Sequence, residues 1–137
     1  IVATNQAGIA RGYYSSKEFL AYTQWLHGQF SNLGTPLLAT YYCPHHPTEG
    51  LGEYCVSCDC RKPRPGMLLA AAERFGIDLS NSVMVGDAAT DMESARAAGV
   101  SRKFLLQTHA KVPENLDLVV PTGVRIITDL RDVVGFL

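Results

Sequence analysis

The sequence predicts an α/β fold in which a parallel sheet carries helices on both faces. Short apolar runs typical of buried strands alternate with longer stretches in which apolar residues recur every three or four positions, as in amphipathic helices. Polar residues follow several of these runs, at the carboxyl ends of strands where such sheets bind ligands. The chain has 137 residues with 47% hydrophobic content and contains neither a repeat nor a linker, so we expect a single domain over residues 1–137.

The first half of the chain contains two predicted strands and one predicted helix. Residues 1–5 are an apolar run that ends in polar residues, as a buried strand does. Ser15 and Glu18 have the spacing of a capping box, and apolar side chains follow at helical intervals until Gly34, a natural helix stop. Residues 37–42 form a second apolar run. We therefore predict a strand, a long helix and a second strand, in that order.

The second half continues this alternation. Pro65 and Gly66 open a stretch of helical periodicity, and Gly76 closes it. The other predicted elements are a strand at 82–85, a helix at 91–98, strands at 103–106 and 116–120, and a helix from Asp129 to Phe136. Strands that alternate with helices favour a parallel sheet.

The charge of the chain excludes some classes of partner. The net charge is -1 and the sequence pI is near 6.5, which argues against nucleic acid or an anionic membrane as an electrostatic partner. No apolar run approaches the roughly 18 residues that span a bilayer. We therefore expect a small molecule as the partner, and we also expect a monomer.

The four cysteines of the chain all fall within residues 43–60. Three of them form a Cys-x-His…Cys-x-Cys arrangement with a histidine, which is the Cys₃His ligand set of a closed tetrahedral zinc site. The predicted ligands are Cys43, His45, Cys58 and Cys60. Cys55 is an alternative ligand because it forms a Cys-x-x-Cys pair with Cys58, and His46 is an alternative to its neighbour.

Two disulfide bonds in a secreted protein are the competing interpretation of four cysteines. The cysteines are confined to one loop, and a chain of this length does not need cross-links to fold, so we favour Zn²⁺ and a reducing, cytoplasmic setting. A closed site keeps no open position for a substrate, so its task is to hold a loop in shape. This loop ends in Arg61 and Lys62.

A GDxxxD sequence follows the strand predicted at 82–85. Gly86 allows a tight turn, and the carboxylates of Asp87 and Asp91 are suitable ligands for a hard cation such as Mg²⁺. A turn followed by an aspartate that caps a helix is the simpler interpretation of this segment alone.

Other polar residues suggest an anion site. Thr4 and Asn5 offer a hydroxyl, an amide and backbone N–H groups at the end of the first strand. Lys62 precedes a proline and is therefore extended, and it follows two predicted zinc ligands closely. Arg61 and Arg11 are further cations able to neutralise phosphate oxygens. Each signal alone is weak, because such residues are common in turns and on surfaces.

The combination of these signals is more specific. A threonine at one strand end, a Lys-Pro pair after a loop and GDxxxD at another strand end have the order of three motifs of the haloacid-dehalogenase-like phosphohydrolases, which the chain resembles over its whole length. Residues 4–12 and 43–63 resemble the zinc-containing branch of that superfamily, whose members act on heptose bisphosphates or on histidinol phosphate. Twelve residues separate His45 from Cys58, a loop length that resembles the heptose enzymes. The resemblance implies a Rossmann-like sheet.

This resemblance also implies an activity, that of a Mg²⁺-dependent phosphomonoester hydrolase. The expected reaction removes the 7-phosphate of D-glycero-D-manno-heptose 1,7-bisphosphate through an aspartyl-phosphate intermediate, in the synthesis of the ADP-heptose used for lipopolysaccharide or surface glycan. The alternatives are hydrolysis of histidinol phosphate and a fragment that binds phosphosugar without catalysis.

The resemblance assigns roles to five residues. Thr4 hydrogen-bonds the transferring phosphoryl group with help from Asn5. Lys62 neutralises charge on the phosphoryl oxygens and on the nucleophile. Asp87 ligates Mg²⁺, and Asp91 orients either the water shell of that ion or Lys62. Catalysis of this kind rests on positioning and charge stabilisation.

Two departures from the pattern concern the substrate. Ala7 stands where the resemblance implies a serine, and Ala88 where some relatives carry a lysine. Arg61 and Arg11 are then the cations expected to contact the distal phosphate or the sugar hydroxyls.

The motif that would carry the nucleophile is not in this sequence. The superfamily uses an aspartate at the end of its first strand and a second aspartate two residues later, but no aspartate precedes Asp59. We expect that motif upstream of Thr4, so that the domain over 1–137 is N-terminally incomplete and lacks its first strand.

Overall fold

The structure, a computed structural model, describes residues 1–107 and 123–136. These residues form two compact units, one over residues 1–61 and the other beginning at Lys62. The strand predicted at 116–120 lies outside the described residues. The prediction of a single domain over 1–137 stays a prediction. None of the helices in the described part of the chain combines the length and the hydropathy needed to cross a membrane.

The first unit is built on a pair of parallel strands. Strand β1 pairs with β2 in a register that runs from Val2 opposite Thr40 to Asn5 opposite Cys43. The elements of this unit are β1 (Val2–Asn5), α1 (Ala7–Ala10), α2 (Ser16–Asn32), β2 (Thr40–Cys43) and a 3₁₀ turn (Gly52–Tyr54). The register places the end of β1 beside the start of the cysteine-containing loop.

Helix α2 begins where the sequence predicts it. The Ser15 hydroxyl accepts a hydrogen bond from the Glu18 backbone N–H at 3.2 Å, and the Glu18 carboxylate accepts one from the Ser15 N–H at 2.7 Å. This reciprocal pair satisfies two of the N–H groups that a helix start leaves unpaired. Phe19, on the first turn, is buried and contacts the ring of Tyr42 of β2 in a tilted arrangement, with 4.7 Å between the ring centroids. The cap and this ring contact fix α2 against the strand pair.

The second unit contains a three-stranded sheet with the order β3-β4-β5, in which all strands are parallel. Helix α3 ends at Gly76, whose φ of 62° is a left-handed conformation that favours glycine. The elements are α3 (Gly66–Phe75), a 3₁₀ turn (Leu79–Asn81), β3 (Val83–Gly86), α4 (Ala89–Ala97), β4 (Arg102–Leu106), β5 (Val124–Ile127) and a 3₁₀ segment (Leu130–Phe136).

The side chains of β3 alternate between two apolar clusters of the second unit. Val83 and Val85 pack against a cluster around Phe104, whereas Met84 packs against one around Ala95. Successive residues of a strand point to opposite faces of the sheet, so both faces of β3 are covered. All four residues of β3 are half-buried, as expected of a parallel strand that has apolar neighbours on both faces.

The α/β class with parallel strands is confirmed. The predicted helix from Asp129 to Phe136 is wound as a 3₁₀ segment, and the strand predicted at 37–42 starts only at Thr40. The sequence analysis also missed α1 and β5, each of which has four residues. Elements of that length offer too few positions for a helical or alternating period to be recognised.

Candidate functional site

The first unit brings the four predicted metal ligands together. Cys43 is fully buried at the end of β2, and the other three are half-buried on the loop that follows. The Cys43 Sγ lies 3.4 Å from the Cys58 Sγ and 3.8 Å from the His45 Nδ1. The Cys60 Sγ lies 3.2 Å from the Cys58 Sγ and 3.5 Å from the His45 Nδ1. All four donor atoms are within 4.8 Å of one another.

This geometry suits a tetrahedral metal ion. Zinc binds thiolate sulfur at about 2.3 Å and imidazole nitrogen at about 2.0 Å, so neighbouring ligand atoms lie roughly 3.5–3.8 Å apart. The observed separations of 3.2–3.8 Å match this spacing within a few tenths of an ångström. All four cysteines lie within the described residues, and none is disulfide-bonded. The donor set therefore fits a metal ion, and this geometry favours a metal site over the disulfide interpretation.

The two alternative ligands lie outside the cluster. Cys55 is exposed, and its Sγ lies 3.8 Å from the Pro47 carbonyl oxygen. The His46 Nδ1 accepts a hydrogen bond from the Glu49 backbone N–H at 3.0 Å. Both side chains thus contact backbone atoms of the loop itself. These contacts stabilise the turn between the first two ligands and the last two.

The thiols of the cluster influence one another. Burial raises the pKa of Cys43, and burial together with hydrogen bonds to the other two thiols raises the pKa of Cys60. Burial also acts to raise the pKa of Cys58, but hydrogen bonds with Cys60 and Cys43 outweigh it, so that this pKa is lowered. Three thiolates at these distances repel one another, and a divalent cation between them would remove that repulsion.

Arg61 is tied to the cysteine loop that precedes it. Its guanidinium Nη1 donates a hydrogen bond to the His45 carbonyl oxygen at 3.1 Å. The backbone N–H of Gln6, directly after β1, donates to the Cys43 carbonyl oxygen at 2.8 Å. The loop that carries the ligands is thus fastened at its start to the end of β1 and at its end by Arg61.

Arg11 is held by a carboxylate of the same loop. Its Nε donates to the Glu49 Oε2 at 2.8 Å, and its Nη2 does so at 2.5 Å. Hydrogen bonding and the charge of Arg11 hold the pKa of the Glu49 carboxyl below its usual value. The guanidinium of Arg11 is therefore occupied by Glu49, a partner that the sequence analysis did not identify.

The second unit contains a nearly buried ion pair. The Lys62 Nζ lies 2.6 Å from the Asp91 Oδ1, and the two side chains are 10% and 7% exposed. The other Asp91 oxygen, Oδ2, accepts hydrogen bonds from the backbone N–H groups of Asp87 and Ala88, both at 3.1 Å. One carboxylate thus holds the lysine with one oxygen and the turn before α4 with the other. Both interpretations of Asp91, as a helix cap and as a site residue, agree with this geometry.

Gly86 is required by this arrangement. A Cβ atom at Gly86 would lie 2.4 Å from the Asp91 Oδ2 and 2.5 Å from the Asp91 Cβ, closer than non-bonded atoms approach. Its missing side chain lets the aspartate fold back over the end of β3. The next residue, Asp87, is exposed at the carboxyl end of that strand, where a carboxylate is accessible to a cation.

Thr4 and Asn5 occupy the end of β1 in the first unit, as predicted. The Thr4 Oγ1 accepts a hydrogen bond from the Gln6 Nε2 at 2.9 Å, and the Gln6 Oε1 accepts one from the Tyr14 hydroxyl at 2.6 Å. Gln6 and Tyr14 were not among the predicted site residues. Only their polar side chains in the segment after β1 could have indicated them, because the contact depends on the fold of α1.

The comparison with known proteins agrees with these motifs. The sequence profile of the HAD-hydrolase-like family matches residues 59–133. The D-glycero-beta-D-manno-heptose-1,7-bisphosphate 7-phosphatase of Vibrio cholerae serotype O1 is 44% identical over 137 residues, which are 100% of this chain and 72% of that protein. The D-glycero-alpha-D-manno-heptose-1,7-bisphosphate 7-phosphatase of Burkholderia mallei is 40% identical over 100% of this chain and 70% of its own length.

A solved structure supports the same assignment. The D,D-heptose 1,7-bisphosphate phosphatase of B. bronchiseptica, crystallised with magnesium and phosphate, superposes with a TM-score of 0.78 at 31% identity, over 97% of this chain and 72% of that one. The chain spans about two thirds of the length of the curated relatives it matches. The profile, the relatives and the solved structure agree with the motif order, and the chain belongs to the HAD-hydrolase-like family.

Proposed function

We propose that this protein removes the 7-phosphate of D-glycero-D-manno-heptose 1,7-bisphosphate. The observation that carries the proposal is the nearly buried pair of Lys62 and Asp91, which lies against the turn that carries Asp87. The substrate is suggested by relatives at 40% and 44% identity whose names specify this sugar bisphosphate. Those two relatives differ in the anomer, and the proposal covers both.

Lys62 is proposed to neutralise charge on the transferring phosphoryl group. Phosphoryl transfer spreads negative charge over the equatorial oxygens, and a fixed cation away from water stabilises that charge more than a mobile one in solvent. The bond to Asp91 keeps the Nζ in one place, and its nearly buried surroundings strengthen charge interactions. In this proposal Asp91 acts by positioning Lys62 and the Asp87 turn.

Asp87 is the proposed Mg²⁺ ligand. Its exposed carboxylate offers the oxygen donor that this ion prefers, and the turn is fixed because the Asp87 N–H binds Asp91. Bound Mg²⁺ would supply positive charge next to the phosphate. The solved relative from B. bronchiseptica contains magnesium and phosphate, which supports the choice of cation.

The cluster of three thiols and one imidazole is the proposed structural zinc site. The ligands are Cys43, His45, Cys58 and Cys60. Four protein ligands close the coordination shell, so zinc would act by fixing the loop. Arg61 directly follows the last ligand and hydrogen-bonds a backbone carbonyl of the loop. Thiol ligands also suit a reducing compartment, and we propose that the protein works in the cytoplasm.

The remaining roles concern the substrate. Thr4 and Asn5 are proposed to hydrogen-bond the phosphoryl group from the end of β1, and Arg61 to contact the distal phosphate or the sugar hydroxyls. Arg11 is the weaker candidate for a substrate contact, because its ion pair with Glu49 would first have to open. The aspartyl nucleophile and the general acid that the family uses are assigned to no residue of this chain.

The test uses the protein expressed from its complete gene. Purified protein with Mg²⁺ is given each anomer of the heptose 1,7-bisphosphate and, separately, histidinol phosphate, and the released phosphate is measured. The proposal predicts turnover of a heptose bisphosphate at a kcat/KM far above that of histidinol phosphate. A higher kcat/KM for histidinol phosphate would show that histidinol phosphate, and not the heptose bisphosphate, is the substrate. Binding of the sugar without phosphate release would instead indicate the non-catalytic alternative.

A further inference from the structure

The segment after β1 contains a chain of hydrogen bonds that ends on Thr4. The Tyr14 hydroxyl donates to the Gln6 Oε1 at 2.6 Å, and the Gln6 Nε2 donates to the Thr4 Oγ1 at 2.9 Å. All three side chains are half-buried. The three residues belong to the first unit and are joined by these two side-chain hydrogen bonds.

The direction of these bonds determines what the Thr4 hydroxyl can do. A threonine hydroxyl has one hydrogen to donate and two lone pairs to accept with. Because the amide of Gln6 donates to it, Thr4 uses a lone pair in this contact and keeps its hydrogen for another acceptor. The Tyr14 hydroxyl fixes the orientation of the amide, since donation to Oε1 turns the Nε2 towards Thr4.

Gly8 provides the space that this chain of contacts needs. A Cβ atom at Gly8 would lie 2.3 Å from the Tyr14 Cε1 and 2.6 Å from its hydroxyl oxygen. The tyrosine ring therefore lies directly on the backbone of α1. A contact this close leaves the hydroxyl of Tyr14 little freedom to move away from Gln6.

Gln6 does not have the role that its position in the helix would suggest. It is the N-cap residue of α1, yet its side chain makes no capping hydrogen bond. Caps normally satisfy the free N–H groups of the first turn. Both ends of this amide bind Thr4 and Tyr14 instead, so its contacts serve the end of β1 rather than the helix.

We propose that Gln6 and Tyr14 are positioning residues that hold the Thr4 hydroxyl as a hydrogen-bond donor to a phosphoryl oxygen. This inference rests on the proposed function, in which Thr4 contacts the transferring group. Gln6 acts on Thr4 directly, and Tyr14 acts through Gln6. Neither residue touches the phosphate in this proposal.

The decisive variant is Gln6→Glu in the protein expressed from its complete gene. The carboxylate has the shape of the amide but can only accept, so it draws the Thr4 hydrogen towards itself and away from the phosphate. We expect kcat/KM for the heptose bisphosphate to fall about tenfold or more, a loss typical of one misdirected donor. Tyr14→Phe removes only the hydroxyl and should give a smaller loss of the same kind.

The background of Thr4→Val separates positioning from a general structural effect. Valine keeps the shape of threonine without its hydroxyl, so Gln6 has nothing left to orient. In this background Gln6→Glu should lower kcat/KM by a clearly smaller factor than in the protein with Thr4, because only the repulsion of the added charge remains and residues that act as one unit are not additive. The matched control Tyr13→Phe changes a neighbouring tyrosine that is 75% exposed and should leave turnover unchanged.

Binding of inorganic phosphate, followed by calorimetry, tests the inference without turnover. Gln6→Glu should weaken phosphate binding more when Thr4 is present than when Thr4 is valine, because the added negative charge repels phosphate in both backgrounds. Equal losses in both backgrounds would overturn the inference, as would unchanged turnover and binding in Gln6→Glu. A wild-type protein that binds phosphate but hydrolyses neither heptose anomer contradicts the proposed function instead, and the phosphate measurement still decides the role of Gln6.

Discussion

Lys62 and Asp91 form an ion pair in which the Nζ lies 2.6 Å from the Oδ1, and at most a tenth of either side chain is exposed. Removing one partner of such a pair strongly destabilises the folded protein, because the remaining charge is then buried without a counter-charge. Asp91 keeps two backbone hydrogen bonds on its second oxygen, which hold it in place. The pair therefore fixes a cation next to the turn that carries Asp87.

Replacement of this lysine should affect both activity and stability. We expect Lys62→Met to remove turnover of the heptose bisphosphate and to lower the free energy of unfolding by about 3 kcal/mol, since the Asp91 charge is left uncompensated. Denaturant titration and a phosphate-release assay measure the two effects. Lys17→Met is the matched control, because Lys17 is exposed on α2 and should change neither. Wild-type turnover in Lys62→Met would refute the role of this lysine.

Turnover and stability should both require a residue without a side chain at position 86, where the chain has Gly86. Gly86→Ala places a Cβ 2.4 Å from the Asp91 Oδ2, so the carboxylate must move and release either Lys62 or the Asp87 turn. We expect turnover to fall at least about tenfold and the midpoint of thermal unfolding to drop. Gly28→Ala in α2 is the matched control, since no atom outside the adjacent residues and the backbone of the helix itself lies within 4 Å of the added Cβ. That variant should be more stable by about 0.5–1 kcal/mol, and equal behaviour of the two variants would contradict the steric argument.

The metal content of the cysteine cluster can be measured directly. We expect atomic spectroscopy to find about one zinc ion per chain, because the four ligands together form one tetrahedral site. Cys60→Ser should lose the metal and lower the midpoint of thermal unfolding, because the loop is then no longer held. Cys55→Ser, which changes the exposed cysteine outside the cluster, should keep both the metal and the midpoint. Metal loss in Cys55→Ser but not in Cys60→Ser would show that the ligand set is wrong.

The stability that the N-terminal cap of α2 contributes should depend on pH. Hydrogen bonds from the backbone and the hydroxyl of Ser15 lower the pKa of Glu18. A carboxyl whose pKa is lowered by folding stabilises the native state above its unfolded pKa, and that stabilisation is lost as the pH falls through the folded pKa. Wild-type protein should therefore be more stable than Glu18→Gln at pH 7, and the difference should vanish in acid. A difference that is constant from pH 7 to pH 2 would exclude this linkage.

Local signals in the sequence predicted much of this structure. The capping box of Ser15 and Glu18 and the helix stop at Gly76 depend on neighbouring residues, and both are present. The four cluster residues were predictable because the chemistry of a metal restricts which residue types can be ligands and how they are spaced.

Contacts between distant segments were not predictable in this way. The partner of Arg11 is Glu49, 38 positions away, and no local pattern joins them. The contact of Gln6 with Thr4 and Tyr14 depends on α1, a helix of four residues that periodicity does not reveal. These contacts arise from the fold of the whole unit, so the sequence alone indicated neither the Glu49 partner of Arg11 nor the contacts of Gln6.

The most direct test of the central claim is ³¹P nuclear magnetic resonance of the heptose 1,7-bisphosphate during reaction with the protein expressed from its complete gene. With the wild-type protein, the signal of the 7-phosphate should be replaced by that of inorganic phosphate while the 1-phosphate signal remains, and Lys62→Met should leave both sugar phosphates intact. Release of the 1-phosphate, or no release by the wild-type protein under conditions in which it hydrolyses histidinol phosphate, would refute the proposal that this protein removes the 7-phosphate.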